Sequence, residues 1–376
     1  MTSSNVATQP QNYSALTNII PGIQGVGAGA QASIQLPCNS RIHREVFQCS
    51  GILYRNPTAV PTIADAGATF SLVLNAGLIV GINITGTVST KAAGTYPLTI
   101  TDSTYTRADG STVKVGQGAT GTYTVNGANV VTAAAITLGG VASSIPPELF
   151  FTSQKHMVNG IVMRDINPSD TVKIAMANGY KFLDVGEYPV FFTEPWRKIV
   201  NHDQATSWDL QGQSTYQILF GIATGITSPT LTGVYEFDFL RNTSRDEKGQ
   251  QVPFLRPIKQ HMFSQQVPGG VTNVTTIPID NPIQRLWFVE TGPGSITQLE
   301  LYQDGNKVWE GTVPQLNQVM NQYGFNTTIY DAAYLTDMDQ RLGKALLCLN
   351  SLTLRVYSAA ATALNIIAEI HMQAFE

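Results

Sequence analysis

The sequence predicts an all-β chain built as two tandem jelly rolls, each an eight-stranded antiparallel β-sandwich. A β-rich subdomain is inserted into the first roll, and the second carries one clear helix. Three observations predict this. Apolar and polar residues alternate with period two through most of the chain beyond Ala32. A faint twofold repeat emerges once one compositionally distinct stretch, residues 57–147, is set aside. The composition suits a folded, core-forming protein with little charge: of 376 residues, 43% are hydrophobic and 13% charged, with a net charge of −4. That balance excludes a disordered chain and gives no basic footprint for sequence-specific nucleic-acid binding.

Residues 1–30 are polar and Gly-rich, contain Pro10 and Pro21, and read as an extended arm. No charged side chain precedes Arg41, so the basic start of a signal peptide is missing. The most apolar windows, residues 77–84 and 364–370, fall well short of the roughly 20 residues of a membrane span. Residues 31–56 with 148–245 form the predicted first jelly roll, and residues 258–376 the second. The polar, turn-rich stretch 241–257 separates them.

Within these units Val172, Ile174 and Met176 alternate as in a strand. Tyr235, Phe237 and Phe239 do the same, as do Leu352, Leu354 and Val356. Near the end, Ile366, Ala368, Ile370 and Met372 form one face, and Glu369, His371 and Gln373 the other. The repeat aligns Ser33–Pro37 followed by Ile42–Phe47 with Thr276–Ile279 followed by Ile283–Phe288. It then sets a hairpin at Asn178-Gly179-Tyr180-Lys181 against one at Asp304-Gly305-Asn306-Lys307. The helix falls at about 312–323: Val313, Leu316, Val319, Met320 and Tyr323 share a face, Thr312 is a cap and Gly324 a stop.

Residues 57–147 contain only six charged side chains and no Trp, His or Cys. Turn signals recur at Asp109-Gly110, Gly116-Gln117-Gly118 and Asn126-Gly127. They predict an outward-projecting β-rich subdomain, a tower. Its own core would be Leu72, Leu74, Ile82, Ile84, Leu98, Ile100, Val113, Val115, Tyr123 and Val125.

No constellation carries chemistry, so no catalytic, cofactor or metal residues are expected. Gly22-Ile23-Gln24-Gly25-Val26-Gly27-Ala28-Gly29 superficially suggests a phosphate loop but lacks the strand before it and the helix after it. His43, His156, His202, His261 and His371 are scattered, and none has helical metal-site spacing. His371 reads as a solvated or interface residue, and His202-Asp203 as a surface loop. There is no Gly-x-Ser-x-Gly elbow. Cys38, Cys49 and Cys348 cannot all pair with one another, and Cys38 and Cys49 read as inert buried thiols. Asp304-Gly305-Asn306 with Glu310 lacks the spacing of a calcium loop. The sequons at Asn83, Asn242, Asn273 and Asn326 are chance products of an Asn- and Thr-rich chain. Trp196, Trp208, Trp287 and Trp309 read as core and interface anchors.

Four stretches carry a resemblance to a known family. They are Asn18–Pro21 with Gly27–Gly29 and the strand Ser33–Pro37; Phe192–Lys198 leading to Asp209–Ile222; Gln303–Trp309 running into the helix and Gln322–Gly324; and the pair Leu352–Tyr357 and Ile366–Met372. In order and spacing they resemble the double jelly-roll major capsid proteins of tailless icosahedral bacterial viruses, most closely the corticovirus-like branch. The resemblance covers most of the chain except residues 57–147. It implies a non-enzymatic virion protein, made in the host cytoplasm, whose homotrimers have a pseudo-hexagonal outline and tile an icosahedral shell. Its implied partners are further copies of itself, other capsid proteins such as a penton protein, and lipid or a protein of an internal membrane met through the N-terminal arm. The competing readings are a receptor- or carbohydrate-binding β-sandwich spike and a cupin-like enzyme. The spike leaves the duplicated core unexplained, and the cupin needs converging histidines.

Overall fold

The computed structural model describes residues 16–194, 206–239, 243–245, 251–253, 257–279, 281–290, 294–322, 333–337, 346 and 350–372. Cys348, Trp196, His202, Asp203 and Tyr323 lie outside the described residues.

Strands dominate, and they form two sandwiches of the same design. In the first, Leu16–Ile19, Thr227–Asp238, Arg41–Ile52 and Glu187–Phe191 make one sheet. Gln31–Leu36, Tyr216–Ile222, Phe151–Val158 and Ile161–Asp165 make the opposing one. In the second, Ile258–Val267, Thr362–His371, Ile283–Glu290 and Ala333–Asp337 face Gly270–Val274, Leu352–Ser358, Ile296–Gln303 and Asn306–Thr312.

The duplication reaches single-residue register. Ile42 and Ile283 occupy corresponding places, and each is followed by a one-residue irregularity at His43 and at Gln284. After it, Arg44 lies opposite Glu236 and Arg285 opposite Glu369. The hairpins Phe151–Asp165 and Ile296–Thr312 match likewise. Val158 faces Ile161 as Gln303 faces Asn306, and His156 faces Arg164 as Leu301 faces Trp309. Both turns put two residues in left-handed backbone, Asn159 (φ 50°) with Gly160 (φ 79°) and Asp304 (φ 49°) with Gly305 (φ 83°). That is the two-residue turn whose twist suits a hairpin.

This register corrects the sequence alignment in the first unit. The hairpin matching Asp304-Gly305 is Asn159-Gly160, not Asn178–Lys181. Residues 168–177 form a helix, Pro168–Ala177, not a strand. Asn167 stands at its N-cap, its main-chain carbonyl accepting from the amides of Asp170 and Thr171 (both 3.0 Å), and Pro168 sits where a missing N–H costs nothing. Asn178–Tyr180 close it: Gly179 (φ 82°) donates to Met176 O and Tyr180 to Ala175 O. Eight of its ten residues are buried, so its sequence shows no polar stripe, and Val172, Ile174 and Met176 mimic period two. Its counterpart Val313–Gln322 stands where the periodicity puts it. Gln315 Oε1 accepts from the Thr312 amide at 3.0 Å, the return half of a capping box. Only Leu316 and Met320 are buried there, and Val319 is 43% exposed. A third, single-turn helix is Pro147–Phe150.

Two further expectations change. Part of the predicted arm is structured: among the described residues Leu16–Ile19 is an edge strand and Ile20 joins the core. Main-chain pairing needs no alternating side chains, which is why composition alone missed it. The counterpart of Gln31–Leu36 is Gly270–Val274, while 276–279 forms no strand.

The first core is aromatic: Phe151 stacks on Phe220 (4.5 Å) and Phe47 meets Phe220 edge-on (4.9 Å). Burying each such ring contributes about 2–3 kcal/mol. The second core is aliphatic, built on Leu286, Leu299, Leu301, Leu354 and Val356.

Residues 57–147 leave and return at one point, since Gly51 and Ser50 of the strand entering the stretch pair with Ser143 and Ser144 at its end. Between them Ala59–Pro61, Gly94–Ile100, Thr120–Val125 and Val131–Leu138 form a sheet, with hairpins Ala68–Thr87 and Ser103–Gly116 beside it. Of the expected core, Leu98, Ile100, Val115, Tyr123 and Val125 are buried and Leu72, Ile82, Ile84 and Val113 half-buried. Leu74 is 40% exposed. Several contacts tie this subdomain to the first unit, among them Ala119 N–H donating to the Tyr54 hydroxyl at 2.9 Å. Arg107 pairs with Glu148 (3.0 Å), and the Ala76-Gly77 turn accepts from Thr227 Oγ1 and the Tyr54 amide (both 2.7 Å).

Candidate functional site

The feature with most functional content is the junction of the two units. Ile161–Asp165 lies parallel to Ile258–Val267, pairing Arg164 with Gln260 and Asp165 with His261. This makes one eight-stranded sheet that crosses both units. Arg285, on the strand Ile283–Glu290 of this sheet, is buried 2.8 Å from both Glu369 of its own unit and Glu194 of the first. Gln284 donates to Glu194 at 3.0 Å, and Gln260 (2.9 Å) and Trp287 Nε1 (3.0 Å) donate to Glu369. The helix Pro168–Ala177 joins through Asp170, which accepts from Asn365 at 3.1 Å. Trp287, Val289, Ile367 and Met320 complete the first unit's apolar cluster. Two buried carboxylates around one guanidinium form a unit that fails if one member goes. The junction is therefore a rigid seam rather than a hinge.

A second buried network lies inside the first unit. Tyr216 donates to Glu45 at 2.7 Å, and His156 Nδ1 meets the Tyr216 hydroxyl at 2.8 Å. His156 Nε2 meets the Gln154 amide at 2.6 Å, and Gln154 accepts from Tyr188 and Thr171. Burial pushes the Glu45 carboxyl up to about 8, against the pull of the Tyr216 hydrogen bond and the Arg164 charge. Burial, reinforced by Arg164, holds His156 well below its ordinary value. The register matches Glu45, His156 and Tyr216 to Leu286, Leu301 and Leu352 of the second unit. One polar core thus corresponds to a leucine core on the same scaffold.

Neither network opens to a substrate-sized cavity: the space at the seam, lined by Arg164, Gln260, Arg285 and Glu369, measures about 40 Å³. Among the described residues no three His, Cys, Asp or Glu side chains converge as a metal site requires. His43 contacts Asp238 at 2.8 Å beside Arg41, and His261 is exposed. His371 is buried rather than solvated, because both faces of Thr362–His371 are covered. Cys49 is buried, and its thiol is pushed up by that burial, whereas Cys38 is half-buried. Trp208 and Trp287 are buried anchors.

Parity in the sequence marks the polar network: Glu45 shares its face with Phe47 and Cys49, and His156 with Val158. A charge on an inward face is the legible signal.

Residues 256–373 match the family model described as the viral coat protein P2 C-terminal domain. Among solved structures the chain is similar to the major capsid protein P2 of bacteriophage PM2. That match has 13% identity and a TM-score of 0.60, covering 95% of this chain and 96% of that one. It is also similar to the STIV major capsid protein (7% identity, TM-score 0.54, 96% and 97% covered). A structure of Sulfolobus turreted icosahedral virus matches at 8% identity and TM-score 0.55, with 96% and 92% covered. At these identities the likeness is one of fold. No curated protein matches the sequence.

Proposed function

We propose, from the premise that this chain has the double jelly-roll fold and carries a viral coat protein P2 C-terminal domain at residues 256–373, that it is a major capsid protein of a bacterial virus. It acts in the virion, as homotrimers that tile an icosahedral shell. The carrying observation is the fusion of two register-matched jelly rolls by one continuous sheet and a buried ionic seam. A rigid two-unit subunit gives a closed trimer six similar sides, the outline that packs a plane without gaps. The protein's task is to hold position, and chemistry has no part in it.

Residues 57–147 serve as the tower, set in a loop where growth leaves the tiling undisturbed. The N-terminal residues 1–30 meet neighbouring subunits or membrane lipid beneath the shell. Penton proteins fill the fivefold positions.

Sedimentation and electron microscopy of the purified chain test the reading. The expected result is a species of three chain masses with a pseudo-hexagonal outline. A folded monomer at micromolar concentration, with no larger species, refutes it. Replacing residues 58–146 with a short Gly/Ser linker should leave the trimer intact, and its loss would show the insert to be part of the body.

A further inference from the structure

The two units carry corresponding sheet edges, and the chain uses only half of them on itself. Within the chain, Ile161–Asp165 of the first unit joins Ile258–Val267 of the second. Their counterparts are Asn306–Thr312 of the second unit and Leu16–Ile19 of the first. Among the described residues each of these pairs on one side only, with Ile296–Gln303 and Thr227–Asp238 respectively. An edge strand presents a row of free backbone donors and acceptors ready for another strand.

Burial differs at corresponding positions in the sense that a missing neighbour produces. Arg285–Glu369 is sealed, with side chains 1% and 5% exposed, because the first unit packs over it. The corresponding pair Arg44–Glu236 is made at 2.5 Å but stands 36% and 27% exposed. Ile174, on the helix at the seam, is 8% exposed, while Val319 in the corresponding place is 43% exposed. Leu16 (46%), Ile19 (71%) and Val308 (46%) add apolar surface along the two unused edges.

We infer that Asn306–Thr312 of one copy pairs in parallel with Leu16–Ile19 of the next, repeating between copies the seam that joins the two units within one. This rests on the trimer reading and specifies its contact. The register follows from the internal seam. Arg164 and Asp165 correspond to Trp309 and Glu310, and Gln260 and His261 to Thr17 and Asn18. Trp309 therefore lies beside Thr17, and Glu310 beside Asn18, of the neighbouring copy. Arg44 and Glu236 become buried beneath the neighbour's second unit, next to the face carrying Val319. Continuing the sheet by main-chain pairing is a known mode of association. Here it closes a ring in which every seam is of one kind.

The test is an Asn18→Cys/Glu310→Cys double variant, oxidised in its native oligomeric state and compared with each single variant. The expected result is covalent dimers and trimers on a non-reducing gel for the double variant alone. A double variant that sediments as a trimer yet cross-links no more than the singles overturns the pairing and leaves the trimer standing. A folded monomer overturns both. Hydrogen exchange on the unmodified protein decides the matter if the variant does not fold. Amides of Asn306–Thr312 should exchange about ten-fold more slowly than those of the edge strand Gly270–Val274. Equal exchange in a sedimenting trimer overturns the pairing.

Discussion

Replacing Glu45 with Gln should flatten the stability of the protein between pH 6.5 and pH 8. In the folded chain the Glu45 carboxyl stays protonated up to about 8, against an ordinary value of 4.5. The unfolded chain therefore gives up a proton that the folded chain keeps, and stability falls as pH rises from 4.5 to 8. His156 acts in the opposite sense. Its folded value lies well below 6.5, so its contribution is present above 6.5 and is lost as pH falls. Below 6.5 the two slopes oppose one another. From 6.5 to 8 only Glu45 acts, at about 1.4 kcal/mol per pH unit, a loss of roughly 2 kcal/mol. Glu45→Gln still accepts from Tyr216 and cannot ionise. Denaturant unfolding at one protein concentration, at pH 6.5 and 8, should show wild type losing about 2 kcal/mol more than the variant. Equal losses in the two proteins would refute the protonated, buried glutamate.

Three further outcomes follow from the geometry. Arg285→Met should destabilise the chain by about 3–5 kcal/mol, because it leaves Glu194 and Glu369 buried without their cation. Arg44→Met should cost under about 1 kcal/mol when measured on dissociated chains. Thermal unfolding of the pair checks both. His156→Leu alone should lose about 1–3 kcal/mol by orphaning its partners. The triple change Glu45→Leu/His156→Leu/Tyr216→Leu, which copies the leucines of the second unit, should recover most of that loss in the same denaturant assay. Gly77→Ala should cost more than Gly110→Ala, as read by melting temperature. Both glycines have a left-handed backbone (φ 76° and 78°), but a Cβ at Gly77 would meet Gly225 O at 2.3 Å, and one at Gly110 would meet nothing within 4 Å.

The strands were legible where one face is buried and the other wet, as in Leu352–Ser358, whose alternation survives intact in the fold. The helix Val313–Gln322 was legible because most of it faces solvent and keeps a 3.6-residue stripe. Its twin Pro168–Ala177 was not, because the second unit covers the face that would have carried polar residues. The repeat Ile42–Phe47 with Ile283–Phe288 was aligned correctly from sequence, down to the residue at each irregularity. Glu45 and His156 went unnoticed as a pair because more than a hundred residues, including the insert, lie between them. They meet across the sandwich, where His156 Nδ1 lies 3.7 Å from Glu45 and the Tyr216 hydroxyl contacts both.

The seam also bears on how the chain is made. When the first unit has left the ribosome, its edge Ile161–Asp165 and the pocket later filled by Trp287, Val289 and Ile367 have no cover. The strand that will cap that edge begins at Ile258, and the last of those side chains, Ile367, comes later still. For most of the synthesis of the second unit, the first is thus a half-finished body with a sticky flank. Until the second half folds against them, nascent chains crowded on one message expose these flanks to one another.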